Sequence, residues 1–149
     1  MERTQTRALL VVLSSFALLA GCGKEAGRVP FTGEGAAAAT IPLAAGDVDF
    51  WTDISLEYQG DASLLYQIEL QQGGATVTTA TCNPLGRMTV KMAWSETNLG
   101  ASHSRHGTGK MSCSVKLAKS GPTTVKASLA FLGKPASVAL KKADLIVKQ

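Results

Sequence analysis

The residue types best suited to chemistry lie close together in the second half of the chain. The stretch "LGASHSRHGTGKMSC" contains His103 and His106, the two histidines of the sequence, with Arg105 between them. Imidazole and sulfur are ligands for soft metals such as copper. However, Met111 falls in an apolar alternation and Cys113 is expected in a disulfide, so fewer ligands remain than the three or four that a site needs. We predict no metal site here. The stretch is expected to be a polar surface loop, and His103, Arg105 and His106 are candidate contacts for an anion or a sugar.

A second candidate is the acidic stretch "DVDFWTD", which places Asp47, Asp49 and Asp53 on one strand face beside Trp51. Carboxylates at this spacing can hold calcium, but no Asp-Gly loop of the calcium type follows. The stretch therefore predicts an exposed acidic strand face opposite lysine-rich neighbours. Trp51 is a candidate for stacking on a sugar ring if it points outward, and the alternative is a tryptophan covered by neighbouring residues.

Catalysis is not indicated by any of these residues. A nucleophile needs a base that a third group orients, and the two histidines lie in an apparently flexible stretch. The chain also has no Gly-x-Ser-x-Gly elbow. We predict that the protein is not an enzyme and has no cofactor.

Alternation of apolar and polar residues from Asp47 onward indicates β-strands to position these candidates. In "RMTVKMAWS", for example, Met88, Val90, Met92 and Trp94 are expected to point inward. The pair "GG" at 73–74 predicts a tight hairpin, and a change of phase at 141–142 predicts a β-bulge. About seven strands and no helix favour a single all-β antiparallel β-sandwich, with a small closed β-barrel as the alternative.

The start of the chain has the pattern of an export signal. Residues 1–7 are basic and residues 8–20 are apolar, which is shorter than the ~20 residues of a membrane-spanning helix. The run ends in "LLAGC", which resembles the lipobox of bacterial membrane lipoproteins. The resemblance covers residues 1–22 and implies cleavage between Gly21 and Cys22 and a diacylglycerol thioether on Cys22. Gly23, where an Asp would imply retention at the inner membrane, implies the outer membrane if the organism has one. The alternatives are a plain signal peptide and an uncleaved anchor.

Composition divides the whole chain into three predicted segments. Residues 1–21 are the predicted signal peptide, and residues 22–46, rich in Gly and Ala, are a predicted lipid anchor and flexible tether with a reach of roughly 25 to 30 Å. The alternative for the end of this segment is a short strand around Thr40 to Leu43. Residues 47–149 are the predicted sandwich. Its two cysteines, Cys82 and Cys113, are expected to form a disulfide, because an exported chain with an even number of cysteines usually pairs them.

Charge narrows the choice of partners. The formal net charge of +4 is too small to favour nucleic acid. No Lys or Arg lies between Val29 and Gly86, whereas basic residues dominate from Arg87 onward. The two halves are expected either to pair across strands or to leave a basic face for an anionic lipid or an acidic glycan.

These observations together predict an extracytoplasmic lipoprotein, held in the membrane by the lipid on Cys22, with a non-catalytic sandwich. The sandwich is expected to act as an interaction or ligand-binding module for an envelope protein, a glycan or an anionic lipid. The alternatives are a structural lipoprotein that docks against other envelope components and a metal-handling protein that uses His103 and His106.

Overall fold

The computed structural model describes residues 23–149. The predicted signal peptide and the lipidation residue Cys22 lie outside the described residues. Within residues 23–149 the regular structure is β-strand, and no helix there is long and apolar enough to cross a membrane. Nine strands follow one another: β1 Glu25–Val29, β2 Gly35–Leu43, β3 Gly46–Gln59, β4 Ser63–Gln72, β5 Ala75–Cys82, β6 Met88–Leu99, β7 Ser102–Leu117, β8 Gly121–Gly133 and β9 Ser137–Lys148.

The strands form two antiparallel sheets. Sheet A has the order β1-β9-β3-β7-β6, and sheet B has the order β2-β8-β4-β5. The sheets pack against each other and share no strand, so the fold is the predicted all-β sandwich and not the closed barrel. It has two strands more than predicted, because β1 and β2 come from the segment that was predicted to be a tether.

One apolar core lies between the sheets, with a single tyrosine hydroxyl at its centre. Tyr66 on β4 donates a hydrogen bond to the carbonyl of Ala143 on β9 at 2.6 Å, and its oxygen lies 2.9 Å from Thr52 Oγ1 on β3. Burial raises the pKa of Tyr66, which keeps the hydroxyl neutral. The bond therefore satisfies a buried polar group and joins sheet B to sheet A. The largest fully buried apolar side chains around it include Phe50, Ile54, Leu56, Leu64, Leu70, Met111, Leu129 and Leu145.

A disulfide forms the second link between the sheets. Cys82, at the end of β5, is bonded to Cys113 on β7, as predicted, and the two cysteines are 31 residues apart in sequence. For a loop of this length the chain-entropy model gives a stabilisation of about 3 to 4 kcal/mol. The bond also fixes β5, the edge strand of sheet B, opposite β7 of sheet A.

The prediction of a flexible tether over 22–46 is wrong for the residues that the structure describes. β1 pairs with β9, and β2 pairs with β8 from Gly35 to Leu43. Val29 and Ile41 are buried in the core. The alanines of β2 hide its periodicity, because Ala37 and Ala39 pack against the core while Ala36 and Ala38 face outward without any change of residue type.

Two local predictions are confirmed. Gly73 and Gly74 both have positive φ, at 60° and 79°, which is the conformation that a two-residue hairpin turn requires. The pairing of β9 with β3 shifts register between Ser55 and Leu56, which are opposite Lys142 and Leu140, so Lys141 is the extra residue of a bulge.

The stretch around His103 and His106, predicted to be a polar loop, is instead part of a long hairpin of β6 and β7. β6 shifts register twice along β7, between Met88 and Val90 and between Met92 and Ser95, and Ala93 has a positive φ of 49°. These irregularities leave Met92 exposed although the alternation predicted it inside. β6 is an edge strand of sheet A, and Met92 lies on the face of that sheet that points away from sheet B, so its side chain is not covered.

A pair of neighbouring substitutions in β2 distinguishes a strand from a tether. Ile41 is buried and Thr40 is exposed on the opposite face. We expect Ile41→Ala to lower the free energy of unfolding by about 2 to 5 kcal/mol, because it leaves a cavity in the core. Thr40→Ala should change it by about 1 kcal/mol or less, because the exposed side chain loses only its hydrogen bond with Thr124. Urea denaturation measures both values, and two equally small effects would contradict the pairing of β2.

Candidate functional site

The sequence candidates all lie on sheet A, but on both of its faces. Directly opposed residues of antiparallel strands share a face, and successive residues alternate. Leu56 and Tyr58 of β3, which point toward sheet B, are opposite Arg105 and His103 of β7, whereas Ser55 is opposite His106. His106 therefore lies on the outer face of sheet A, the face away from sheet B. The predicted grouping of the three residues in one loop is wrong, because they belong to strand β7, which places His106 on the opposite face from His103 and Arg105.

Each histidine has its own partners. His106 Nδ1 lies 2.9 Å from Ser55 Oγ, and its Nε2 lies 3.8 Å from Glu57 Oε1. The ring of His103 stacks on Tyr58 with centroids 4.9 Å apart, and its Nδ1 lies 2.7 Å from Asn98 Oδ1. Because the two imidazoles face opposite sides of the sheet, they cannot bind one metal ion. Among residues 23–149 no three His, Cys, Asp or Glu side chains are grouped to hold a metal.

Trp51 lies on the outer face of sheet A, opposite Ile146 of β9, and both are buried. Only 2% of Trp51 is exposed, and Lys148 Nζ lies over its ring at 3.8 Å from the centroid. A ring in this position is covered and cannot offer a face to a sugar, so the stacking role predicted for Trp51 is wrong. Its Nε1 is buried without a hydrogen-bond partner among the described residues. Trp51 and Ile146 together form a small apolar centre beneath charged side chains.

Ion pairs surround this centre. Lys110 Nζ lies 2.8 Å from Asp49 Oδ2, Lys142 Nζ lies 2.5 Å from Asp53 Oδ2, and Arg28 lies 3.1 Å from Asp144. The acidic strand β3 is thus neutralised by basic residues of its neighbours, as its sequence predicted. The hydrogen bond from Arg28 also lowers the pKa of Glu25, and that of Arg28 is raised. These carboxylates are engaged by cations of the protein, which disfavours a calcium site.

A cluster that the sequence did not reveal lies on the other face of the β6–β7 hairpin. Trp94 Nε1 donates to Glu96 Oε2 at 3.1 Å, and Arg105 lies 3.2 Å from Glu96 Oε1. Lys91 Nζ lies 3.5 Å from the same carboxylate and 5.2 Å from the centre of the Trp94 ring. The bond from Trp94 is the main cause of the lowered pKa of Glu96. Arg105, a predicted ligand contact, is thus held by the protein's own carboxylate.

The end of the sandwich formed by the β3–β4, β6–β7 and β8–β9 turns is called the distal end. The turns are joined there by hydrogen bonds from Gly60 N to Ala101 O at 2.8 Å and from Ala136 N to Gln59 O at 3.1 Å. The distal end carries exposed aliphatic side chains: Leu99 is 73%, Leu132 is 68% and Val138 is 41% exposed. A groove of about 300 Å³ runs beside them, between the start of β9, the end of β3 and the hairpin.

The outer face of sheet B offers a wider and plainer groove of about 690 Å³. Small side chains such as Ala36, Ala38 and Thr79 form most of its floor, and Glu69 and Lys126 are opposite each other in its middle. Thr76 and Gln71 donate hydrogen bonds to Glu69, and these lower its pKa. The groove therefore presents a broad surface with few large side chains.

Acidification tests the Glu96 cluster. Because the pKa of Glu96 is lowered from the usual 4.5, its stabilising contribution is present above that pH and is lost as the pH falls through the folded-state pKa. We expect the indole N–H resonance of Trp94 to shift in an NMR titration below about pH 4.5. Glu96→Gln should remove this titration, and the indole of Trp51 serves as an internal reference. A Trp94 shift that is equal in both proteins would contradict the bond.

Comparison with protein-family models and with curated proteins gave no match for this chain. The function must therefore be inferred from its residues and their arrangement.

Proposed function

We propose that the protein is a lipid-anchored lipoprotein of the bacterial cell envelope whose sandwich acts as a non-catalytic interaction module. The observation that carries the proposal is the sequence "LLAGC" at 18–22, which follows a basic start and an apolar run of signal-peptide length. The Cys82–Cys113 disulfide supports export, since such bonds persist outside the cytoplasm. Gly23 after the cysteine favours the outer membrane in an organism that has two.

The distal end is the surface that we assign to the partner. Leu99, Leu132 and Val138 are exposed at this end of the sandwich, and exposed aliphatic side chains can contribute to protein contacts. A glycan is less suited, because sugar rings stack on exposed aromatic faces and Trp51 is covered. The partner is therefore another envelope protein. No nucleic acid is expected, since the basic residues of sheet A are largely paired with carboxylates.

A structural docking role is the second candidate, and the outer face of sheet B favours it. That face is broad and lined with small side chains, so another envelope component could lie flat against it. The two candidates differ in the surface that they use. A metal-handling role is not proposed, because His103 and His106 lie on opposite faces of sheet A.

The anchor is tested by the intact mass of the protein extracted from membranes. We expect the mass of residues 22–149 plus acyl chains, smaller by two hydrogens until the disulfide is reduced. Cys22→Ser should leave an uncleaved precursor that takes up no fatty-acid label, because the thiol that accepts the lipid is gone. An unmodified mass, or continued labelling of the variant, would refute the lipid anchor.

The interaction surface is tested by photo-crosslinking in cells. A photoreactive amino acid in place of Leu99 should yield a discrete crosslinked protein, because this side chain is the most exposed aliphatic group of the distal end. The matched control is Thr79, an exposed position on the outer face of sheet B. Crosslinks from position 79 but not 99 would favour the docking role, and none from either would contradict both candidates.

A further inference from the structure

The end of the sandwich opposite the distal end is called the basal end. It is formed by Lys24, Gln149, the β2–β3 turn at 44–45, the β4–β5 turn at 73–74 and the β7–β8 turn at 118–120. The start of the described chain lies here, because β1 enters sheet A beside the last residues of β9.

The first residues that the structure describes, Gly23 and Lys24, are held against the basal end. Lys24 N donates to Gln149 O at 2.7 Å, and Gln149 N donates to Lys24 O at 3.1 Å. A Cβ on Gly23 would lie 2.8 Å from the Gln149 backbone, so the residue between Cys22 and this pair is itself packed against the chain. Two Cα steps span at most about 8 Å, which limits how far from Lys24 a lipid on residue 22 can begin. A lipid on Cys22 would therefore start at the surface of the sandwich.

The basal end is also a rigid unit that joins both sheets. The side chain of Gln149 donates to Ala44 O and accepts from Ala44 N, both at 2.8 Å. Ala45 N donates to Ser120 Oγ at 2.8 Å, and Gln72 Nε2 donates to Lys119 O at 2.9 Å. A surface that contacts one turn of this end consequently meets the others in a fixed arrangement.

Positive charge prevails at this end. Lys24, Lys116 and Lys119 are exposed, and none of them is in an ion pair with a described carboxylate. Lys148 adds a fourth ammonium above Trp51. The acidic side chain that opposes them is Asp47, since Glu25 is bonded to Arg28.

We propose that the basal end is a membrane-facing surface, on which the sandwich sits directly against anionic phospholipid headgroups through Lys24, Lys116 and Lys119. This inference rests on the lipid anchor of the proposed function. The acyl chains bring the lysines close to the headgroups, where the negative surface potential acts over a Debye length of about 8 to 10 Å. The charge then fixes an orientation that a flexible tether would leave free.

The full lipoprotein in vesicles tests this inference through the reactivity of its own lysines. Acylation by a water-soluble reagent is followed by mass spectrometry in detergent, in phosphatidylcholine vesicles, and in vesicles of equal parts phosphatidylcholine and phosphatidylglycerol. In the anionic vesicles we expect Lys116 and Lys119 to react about fivefold more slowly than in detergent, the factor for about 1 kcal/mol per lysine. Lys126 and Lys134, exposed and away from the basal end, should not change.

If every lysine reacted in the anionic vesicles at the rate that it shows in detergent, the inference would be overturned. Equal protection in neutral and anionic vesicles would also overturn it, because contact without headgroup charge is not what the lysines predict. Variants of the lysines distinguish protection by the basal lysines from protection by the lipid anchor. Lys116→Gln with Lys119→Gln should restore the reactivity of Lys24 toward its value in detergent, whereas Lys126→Gln with Lys134→Gln should not. Unchanged protection of Lys24 in the first variant would assign that protection to the anchor and overturn the role of the patch.

The same samples separate this inference from the proposed function. A chain that carries no acyl group and does not float with the vesicles disproves the lipid anchor. A chain that is acylated and floats, but whose basal lysines react as fast as in detergent, disproves only the membrane-facing surface.

Discussion

The pairing of β1 with β9 is the interaction on which the arrangement of this protein depends. It extends from Lys24 and Gln149 to Val29 and Leu145, and it inserts Val29 into the core. It also covers the edge of β9 that would otherwise be open, and a covered edge is protected from pairing with another chain. Through the same strand, Arg28 reaches the carboxylates of β3 and β9 on the outer face of sheet A. One short strand thus completes the core and the charge pattern, and sets where the chain enters the fold.

Electrostatic pairing, rather than an open site, accounts for most of the polar residues of sheet A. β3 supplies Asp49 and Asp53, and its two neighbouring strands supply Lys110 and Lys142. Exposed pairs of this kind each contribute roughly 0.2 to 1 kcal/mol. The pairs flank the buried residues Trp51 and Ile146, and Lys148 lies over the Trp51 ring, on a face of sheet A that has no second sheet above it.

The sequence predicted the fold well where side chains alternate in type, and failed where they do not. Residues 47–72 alternate clearly, and the turn at 73–74 and the bulge near Lys141 follow from backbone requirements that are local. The alternation in β6 misplaced Met92, because that strand shifts register along β7. The first half of β2 was missed, and a strand was considered only around Thr40 to Leu43, because partial burial of Ala37 and exposure of Ala38 leave no trace in composition. His103 and His106 are three residues apart, which suggests neighbours in a loop, but in a strand an odd separation places them on opposite faces. Trp51 was correctly placed on the outer face, but the lysine above it comes from a distant part of the sequence.

The absence of slack before β1 has a mechanical consequence. β3 has 14 residues, so the sandwich is roughly 45 Å tall along its strands. With a lipid on Cys22, the sandwich would stand with its strands roughly perpendicular to the bilayer, instead of moving freely at the end of a flexible tether. Leu99 and its neighbours would then travel in a single layer parallel to the bilayer, at one height, and meet other envelope proteins by lateral diffusion. A sandwich held in this way selects partners by the distance of their binding surface from the membrane as well as by surface chemistry, because the distal end cannot reach a surface that lies nearer to or farther from the bilayer.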